Sequence, residues 1–327
     1  MFREILLIIW MLACLGFASW CAMAVWFSLP VRRSGKYLTI AIIAAVTIAY
    51  FSVLLFYLPS EASLWPAHVV FIGMIAFIMA WWLFMKPSLD HDWAADVQHT
   101  VTAEYDHREI TFHNIRDFTW KSESEVIANW KSETYRLDSI RSVDVLMSYW
   151  THPAIAHTLV SFGFKDGRRL VFSAEIRKKK GQVYSPIGGF FRSYELALIA
   201  AEERDIVFVR TNIRNERVYR YPIKASPRLL RAMLLRYADA ANALAGKPAF
   251  YNTMTANCTT VVFNLVRTLV PDFPFDYRIV LSGYLPEFLY DHGLIIGSDR
   301  PFEEIRKAAL IVPDPQPREK NLAPATP

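Results

Sequence analysis

Tyr251-Asn252-Thr253-Met254-Thr255-Ala256-Asn257-Cys258-Thr259-Thr260 leads straight into the apolar run Val261-Val262-Phe263-Asn264-Leu265-Val266. Reading this junction as a loop turning into a helix organises the whole soluble part of the chain. Thr255 or Asn257 can cap the helix, which places the Cys258 thiol at or near its first turn. There the helix dipole and unpaired backbone N–H groups favour a thiolate and lower the cysteine pKa. A buried structural cysteine is the competing reading, and the rest of the sequence bears on the choice.

The other two cysteines, Cys14 and Cys21, lie in the first of three stretches that contain no Asp, Glu, Lys or Arg: Ile5 to Leu29, Tyr37 to Ser60, and Ala62 to Met85. Each is long enough to cross the ~30 Å hydrocarbon core as a helix. Trp10, Trp20, Trp26, Trp65, Trp81 and Trp82 include several near segment ends, where aromatic belts lie. The first apolar run is too long for a cleaved signal peptide. Three transmembrane helices are expected, at about 5–29, 37–58 and 63–85, within a membrane region 1–86. A soluble domain follows over 87–310, and a proline-rich, disordered tail over 311–327.

Cys14 and Cys21 are seven residues apart and share a helix face, out of reach of Cys258. The soluble domain therefore has no disulfide framework to report its redox compartment. Formal net charge is only +5. The densest basic cluster, Lys178-Lys179-Lys180, reads as a solvated loop or as a contact to anionic lipid headgroups, not as a nucleic-acid site. Sidedness is in conflict within the sequence. Arg32, Arg33 and Lys36 fill the first loop and Glu61 alone marks the second, so the positive-inside rule would place the first loop, and with it the soluble domain, in the cytoplasm.

Strand-like pieces follow the membrane region at 102–105, 109–113, around Trp130 and Tyr135, and at 140–146. Ile155 to Phe164 and Arg169 to Arg177 flank Lys165-Asp166-Gly167-Arg168, a strong hairpin signal. Ser193 to Glu203 reads as a helix, Asp205 to Arg210 as a strand, and Arg217 to Tyr221 as a further strand. Ser226-Pro227 opens a helix that Gly246 and Pro248 close. The fold class is α+β, with a small antiparallel sheet packed on helices.

A thiol nucleophile needs a base, usually histidine. Among the soluble domain's histidines, His91, His99, His107 and His113 lie in the polar, membrane-proximal section, and His152 and His292 lie in turn-like contexts. His157 differs, because it sits inside the apolar strand pattern Ile155-Ala156-His157-Thr158-Leu159-Val160. A satisfied core histidine is the alternative. Ser173, Glu175 and Arg177 share one face of the partner strand. A strict two-residue turn at Asp166-Gly167 pairs His157 with Ile176 and sends Glu175 to the opposite face. A bulge or three-residue turn brings Glu175 or Arg177 beside His157. A carboxylate there could fix the imidazole tautomer. A structural Glu175–Arg177 ion pair is equally consistent. N–H groups at the start of the Cys258 helix could form an oxyanion hole, with Asn257 either adding a donor or only capping. The charged run Glu202-Glu203-Arg204-Asp205 reads as mainly structural. The chain has no phosphate-binding P-loop, no dinucleotide glycine fingerprint, no H-E-x-x-H and no G-x-S-x-G. No cofactor or metal is implied.

Several of these residues occur in an order that resembles a known family. Ile155-Ala156-His157-Thr158, Phe162-Gly163-Phe164, Gly167, Phe172-Ser173-Ala174-Glu175-Ile176-Arg177, Glu203-Arg204-Asp205, Tyr221-Pro222, and Tyr251-Asn252 followed by Asn257-Cys258-Thr259-Thr260 are similar to the bacterial Lnb N-terminal periplasmic domain family. Pro87 to Trp93 and His113 to Phe118 also look like that family. The resemblance spans about Pro87 to Arg267. It implies a permuted papain-like fold of the NlpC/P60 type, with Cys258 as nucleophile and His157 as base. Asn257, Glu175, Ser173, Arg177 and Tyr251 are supporting candidates. It further implies a cysteine acyltransferase on lipid or lipoprotein substrates, with the domain periplasmic against the loop charges. The many-helix carboxy-terminal membrane region of some members is missing here, so the substrate is not carried over. A cysteine amidase or peptidase of cell-wall peptide and a non-catalytic membrane-anchored binding module are the other readings. Membrane phospholipid and a lipoprotein amino terminus are the expected partners, and oligomeric state is left open.

Overall fold

The computed structural model describes residues 2–57, 63–123 and 125–313. The chain divides into two compact units, Met1–Pro87 with Tyr184–Ser193, and Ser88–Val183 with Tyr194–Pro327.

The first unit contains α1 (Phe2–Ser28), α2 (Arg33–Tyr57) and α3 (Trp65–Phe84), each long and apolar enough to cross a membrane. Cys14, Ala18, Cys21 and Val25 recur at helical spacing and form a buried seam on α1, packed with Ile43, Tyr50 and Leu54 of α2 and Phe71 and Ile78 of α3. Small side chains along such a seam let neighbouring helix backbones approach closely. Within the bundle, Trp10 Nε1 donates to Tyr50 Oη at 2.7 Å, and Tyr50 Oη bonds His68 Nδ1 at 2.8 Å. These groups satisfy one another where no bulk water can.

The second unit is built on β1 (Thr102–Tyr105), β2 (Glu109–Arg116), β5 (Trp130–Arg136), β6 (Ile140–Tyr149), β7 (His157–Phe164), β8 (Arg169–Arg177), β9 (Glu195–Glu202) and β10 (Arg217–Pro222). A short separate hairpin of β3 (Thr119–Trp120) and β4 (Val126–Ile127) interrupts the series. Among the described residues the sheet has eight strands in the order β1-β2-β9-β8-β7-β6-β10, with β5 also paired to β2. It is larger than the small antiparallel sheet expected, and one junction, β2 with β9, is parallel. The helices are α4 (Glu203–Phe208), α5 (Pro227–Gly246), α6 (Cys258–Leu269), α7 (Leu285–Asp291) and α8 (Phe302–Ala309).

Strand alternation sorts the sheet into two faces. Val160, Phe162, Phe172, Ala174, Leu198 and Ala200 pack with Leu230, Leu234 and Tyr237 of α5, and Val261 and Leu265 of α6 join them. Leu159, Val171, Ala197, Ile199 and Ala201 point the other way, to Ile206 and Val207 of α4. Helix α5 opens as the sequence reads it, with Ser226 Oγ accepting from the Leu229 N–H at 3.2 Å and proline in the first turn.

Two neighbouring segments exchange the roles expected of them. Residues 195–202, read as helix, are β9, and 205–210, read as strand, begin α4 and continue into a π-helical turn at Val209–Ile213. Leu196 to Ala201 has no polar face, and a central strand covered by helices on both sides needs none. Asp205, fully buried, accepts from Arg116 Nε at 2.9 Å and its second guanidinium nitrogen at 3.0 Å, from the Phe118 N–H at 2.9 Å and from Trp120 Nε1 at 2.7 Å. These four donors hold the first turn of α4 on the sheet. The rest of the charged run is also structural, with Glu202 on Lys131, Glu203 on Arg220 and Arg204 on Asp117. At the far end, the Ile311 N–H is tied to Val218 O at 2.8 Å. The remainder of the expected tail, from residue 314, lies outside the described residues.

Candidate active site

The register of the β7–β8 hairpin builds the site. Leu159 pairs with Ser173 and Gly163 with Arg169. The turn therefore contains three residues, Lys165-Asp166-Gly167, with the Phe164 N–H donating to Arg168 O at 3.1 Å. Gly167 adopts φ +87°, a left-handed conformation that glycine takes without steric cost. This one-residue difference from the strict two-residue turn puts Glu175, not Ile176, across from His157 on the same face.

The consequence is a short polar chain. His157 Nε2 lies 2.6 Å from Ser173 Oγ and 3.1 Å from Glu175 Oε1, and the Ser173 hydroxyl donates to the same carboxylate oxygen at 2.7 Å. With the serine proton directed to Glu175, the imidazole must donate from Nε2. That fixes the tautomer and leaves Nδ1 for the thiol. Arg210, from the π-helical turn, donates to Glu175 Oε1 at 3.0 Å and to Glu216 at 3.3 Å, and Ser148 donates to Glu216 behind it. Arg210 is almost fully buried, and its Nε has no partner among the described residues.

Cys258 is the first residue of α6, half-buried at the helix start. Asn257 is the cap. Its Oδ1 accepts from the Thr259 N–H at 2.9 Å and the Thr260 N–H at 2.8 Å, and Thr260 Oγ1 accepts from the Asn257 N–H at 2.9 Å in return. The Asn257 amide nitrogen donates to Thr253 O at 2.7 Å. Asn257 is thus a positioning residue through its cap and its bond to Thr253. Because the cap uses the Thr259 and Thr260 N–H groups, the Cys258 N–H is the first-turn donor left to face a developing oxyanion. Thr158 ties strand to helix through its hydroxyl, 2.7 Å from Thr259 Oγ1, while Thr259 Oγ1 lies 3.8 Å from the sulfur.

Burial alone would lower the His157 pKa, but the Glu175 carboxylate overrides it and, with the thiolate adding and Arg210 opposing, raises it to about 9. Burial would likewise push the Cys258 thiol up. The neighbouring imidazolium outweighs burial, helped by the Thr158 N–H and the Thr259 hydroxyl, and holds the thiol below its ordinary value. Glu175, despite its own burial, is held well below the usual carboxylate range by His157, Arg210 and Ser173. These shifts favour the thiolate, imidazolium and carboxylate forms of the three groups.

The other sequence candidates fall elsewhere. Arg177 lies on β8, but its guanidinium donates to Val97 O at 3.1 Å and Gln98 O at 2.7 Å and sits 4.4 Å over the Trp93 ring. It therefore braces the entry to the sheet and leaves Glu175 to Arg210. Tyr251 is buried, with its N–H on Tyr194 O at 3.0 Å. Arg210, Glu216, Ser148 and Thr158 escaped the sequence reading, since only the π-helical turn and the paired strands bring them to the histidine. A π-helical turn often marks a functional site. An apolar groove of about 650 Å³, lined by Ala174, Leu198, Ala240, Leu244 and Val261 among others, runs between β8, β9, α5 and α6. Val261 is one helical turn from Cys258. Among the described residues no group of three or more His, Cys, Asp or Glu side chains could hold a metal ion.

Comparison with known families meets this geometry directly, since residues 127–283 match the model described as the Lnb N-terminal periplasmic domain. This stretch is similar to that domain. The matched region contains the thiol, the imidazole, Ser173, Glu175 and Arg210 alike. Together with the three apolar N-terminal helices, it describes a membrane protein with a periplasmic domain. No curated protein and no solved structure matches the chain.

Proposed function

We propose that this Lnb-type domain is a thiol-dependent acyltransferase, held by three spans in the bacterial inner membrane with its soluble domain on the periplasmic side. The observation that carries the reading is the connected series Cys258, His157, Ser173/Glu175 and Arg210. It supplies a nucleophile at a helix start, a base of defined tautomer and an ionised carboxylate behind it. A helix-borne cysteine meeting the first residue of a strand also supports a permuted papain-like arrangement.

In the first half-reaction the Cys258 sulfur attacks an ester carbonyl carbon and forms a C–S bond. The oxyanion is held by the Cys258 N–H. His157 gives its Nδ1 proton to the departing alkoxide as the C–O bond breaks, leaving an acyl thioester. In the second, neutral His157 takes a proton from an incoming amine, whose nitrogen attacks the thioester carbon. A C–N bond forms, the C–S bond breaks and the thiolate returns. Supporting a lipid donor is the apolar groove, whose volume falls within the ~300–1,000 Å³ usual for ligand pockets. A hydrocarbon chain suits such mainly apolar walls, to which Asn242 and Lys247 add the polar groups.

The test is transfer itself. Purified protein in phospholipid vesicles, given a synthetic peptide with a diacylglyceryl-cysteine amino terminus, should yield an N-acylated peptide detected by mass. Cys258→Ser should abolish the product and His157→Ala should reduce it steeply. Turnover of muropeptides with no need for lipid would instead favour a cysteine amidase. Full cellular function in Cys258→Ala would favour a non-catalytic binding module.

A further inference from the structure

The connection between β8 and β9 contains a segment, Tyr184–Ser193, that belongs to the unit of the three N-terminal helices. Phe191 stacks on Phe27 with ring centres 5.7 Å apart and leans on Trp20 at 6.0 Å. Ser193 Oγ donates to Phe27 O at 3.2 Å. Arg192 donates to Trp82 O at 2.8 Å and Leu83 O at 3.0 Å, and its guanidinium lies 4.1 Å over the Trp82 ring. Those carbonyls end α3, where the helix dipole is negative, so a cation caps the span as the chain leaves it. Arg192 holds φ +55°, a left-handed conformation that strains a non-glycine residue. The carbonyl contacts and the ring offset the strain.

This grip fixes the segment's depth. It binds the last turns of α1 and α3, which end together at the boundary of the apolar spans. Two large apolar side chains of the segment lie outside these contacts and are exposed, Ile187 at 53% and Phe190 at 41%. In water such a cluster would be unfavourable. At the end of a membrane span its surroundings are the headgroup and upper acyl region, where rings and aliphatic side chains bind by burial.

We propose that this segment is a lipid-binding element, with Ile187 and Phe190 inserted into the interfacial layer of the leaflet on the side where α3 ends. The occupant is phospholipid, and the element is independent of any chemistry at Cys258. The test introduces a photoactivatable phenylalanine singly at Ile187, Phe190, Phe77 and Ile127 of the full-length Cys258→Ala chain. The protein is placed in vesicles of phosphatidylethanolamine and phosphatidylglycerol. Phe77, 75% exposed on α3, is the membrane reference, and Ile127, 58% exposed on β4, is the domain reference. Light-dependent phospholipid adducts at Ile187 and Phe190 should approach the Phe77 yield and exceed the Ile127 yield by at least about ten-fold, given insertion of ~5–10 Å. Yields at both positions equal to that at Ile127 would overturn the proposal. Adducts to a second protein copy in place of lipid would overturn it as well. Because the thiol is absent, neither outcome bears on acyl transfer.

Discussion

Glu175→Gln isolates the electrostatic core of the site. The substitution keeps the size of the side chain but removes the charge 3.1 Å from His157 Nε2, and it leaves the Arg210 cation in place. At 3.1 Å and an effective dielectric of about 20, two unit charges attract by about 5 kcal/mol. Residual solvent access makes that an upper bound, yet a third of it still corresponds to about 1.3 pKa units. The unopposed arginine acts in the same direction. His157 should therefore lose its proton at least about one pH unit lower than in the wild type, and above that point the thiol should lose the imidazolium that holds its pKa down. The assay is the pH dependence of Cys258 alkylation by iodoacetamide, with Cys14 and Cys21 buried in the helix bundle. Wild type should alkylate rapidly at pH 7. The variant should reach the same rate only at least about one pH unit higher. Arg210→Gln added to Glu175→Gln removes the stray cation and should move the profile part of the way back. An unchanged profile in Glu175→Gln would refute the assignment of Glu175 as the group that sets the ion pair.

Other consequences follow from the same geometry. Activity should rise from acid pH as Cys258 ionises at its lowered pKa, and fall as His157 loses its proton near pH 9; rate–pH curves check both limbs, which belong to the coupled pair. Asn257→Ala removes the α6 cap and should lower stability by about 1 kcal/mol in chemical denaturation, while slowing alkylation of Cys258 because the first turn loosens. Asp205→Ala leaves the buried Arg116 guanidinium without its counter-charge and orphans the Trp120 and Phe118 donors. It should cost about 3–5 kcal/mol in the same measurement, without direct contact with the thiol.

Much of this site is legible in the residues themselves. The Asn257 cap, the thiol at the helix start and the lone histidine in an apolar strand are local features, and local hydrogen bonding sets them. The hairpin register is not local in the same sense. Both turn lengths suit Lys165-Asp166-Gly167-Arg168, and only the packing of both sheet faces selects the three-residue turn that aligns Glu175 with His157. Arg210 lay further from view, because its stretch Ile206-Val207-Phe208-Val209 has strand-like composition. Four hydrogen bonds to the buried Asp205 carboxylate make it helical instead and swing the arginine toward Glu175. The apolar β9 misreads as helix for the complementary reason, since leucine and alanine favour helices unless neighbouring strands claim the backbone. Sidedness is of another kind, since the first-loop charges Arg32, Arg33 and Lys36 oppose the periplasmic character of the matched family.

The most direct test of the central claim is the intact mass of the purified protein after incubation in phospholipid bilayers, with and without hydroxylamine. The account predicts a mass increase of one fatty acyl group on Cys258, removed by neutral hydroxylamine and absent in Cys258→Ser. A thiol that alkylates readily yet never acquires an acyl group from any common phospholipid would contradict it.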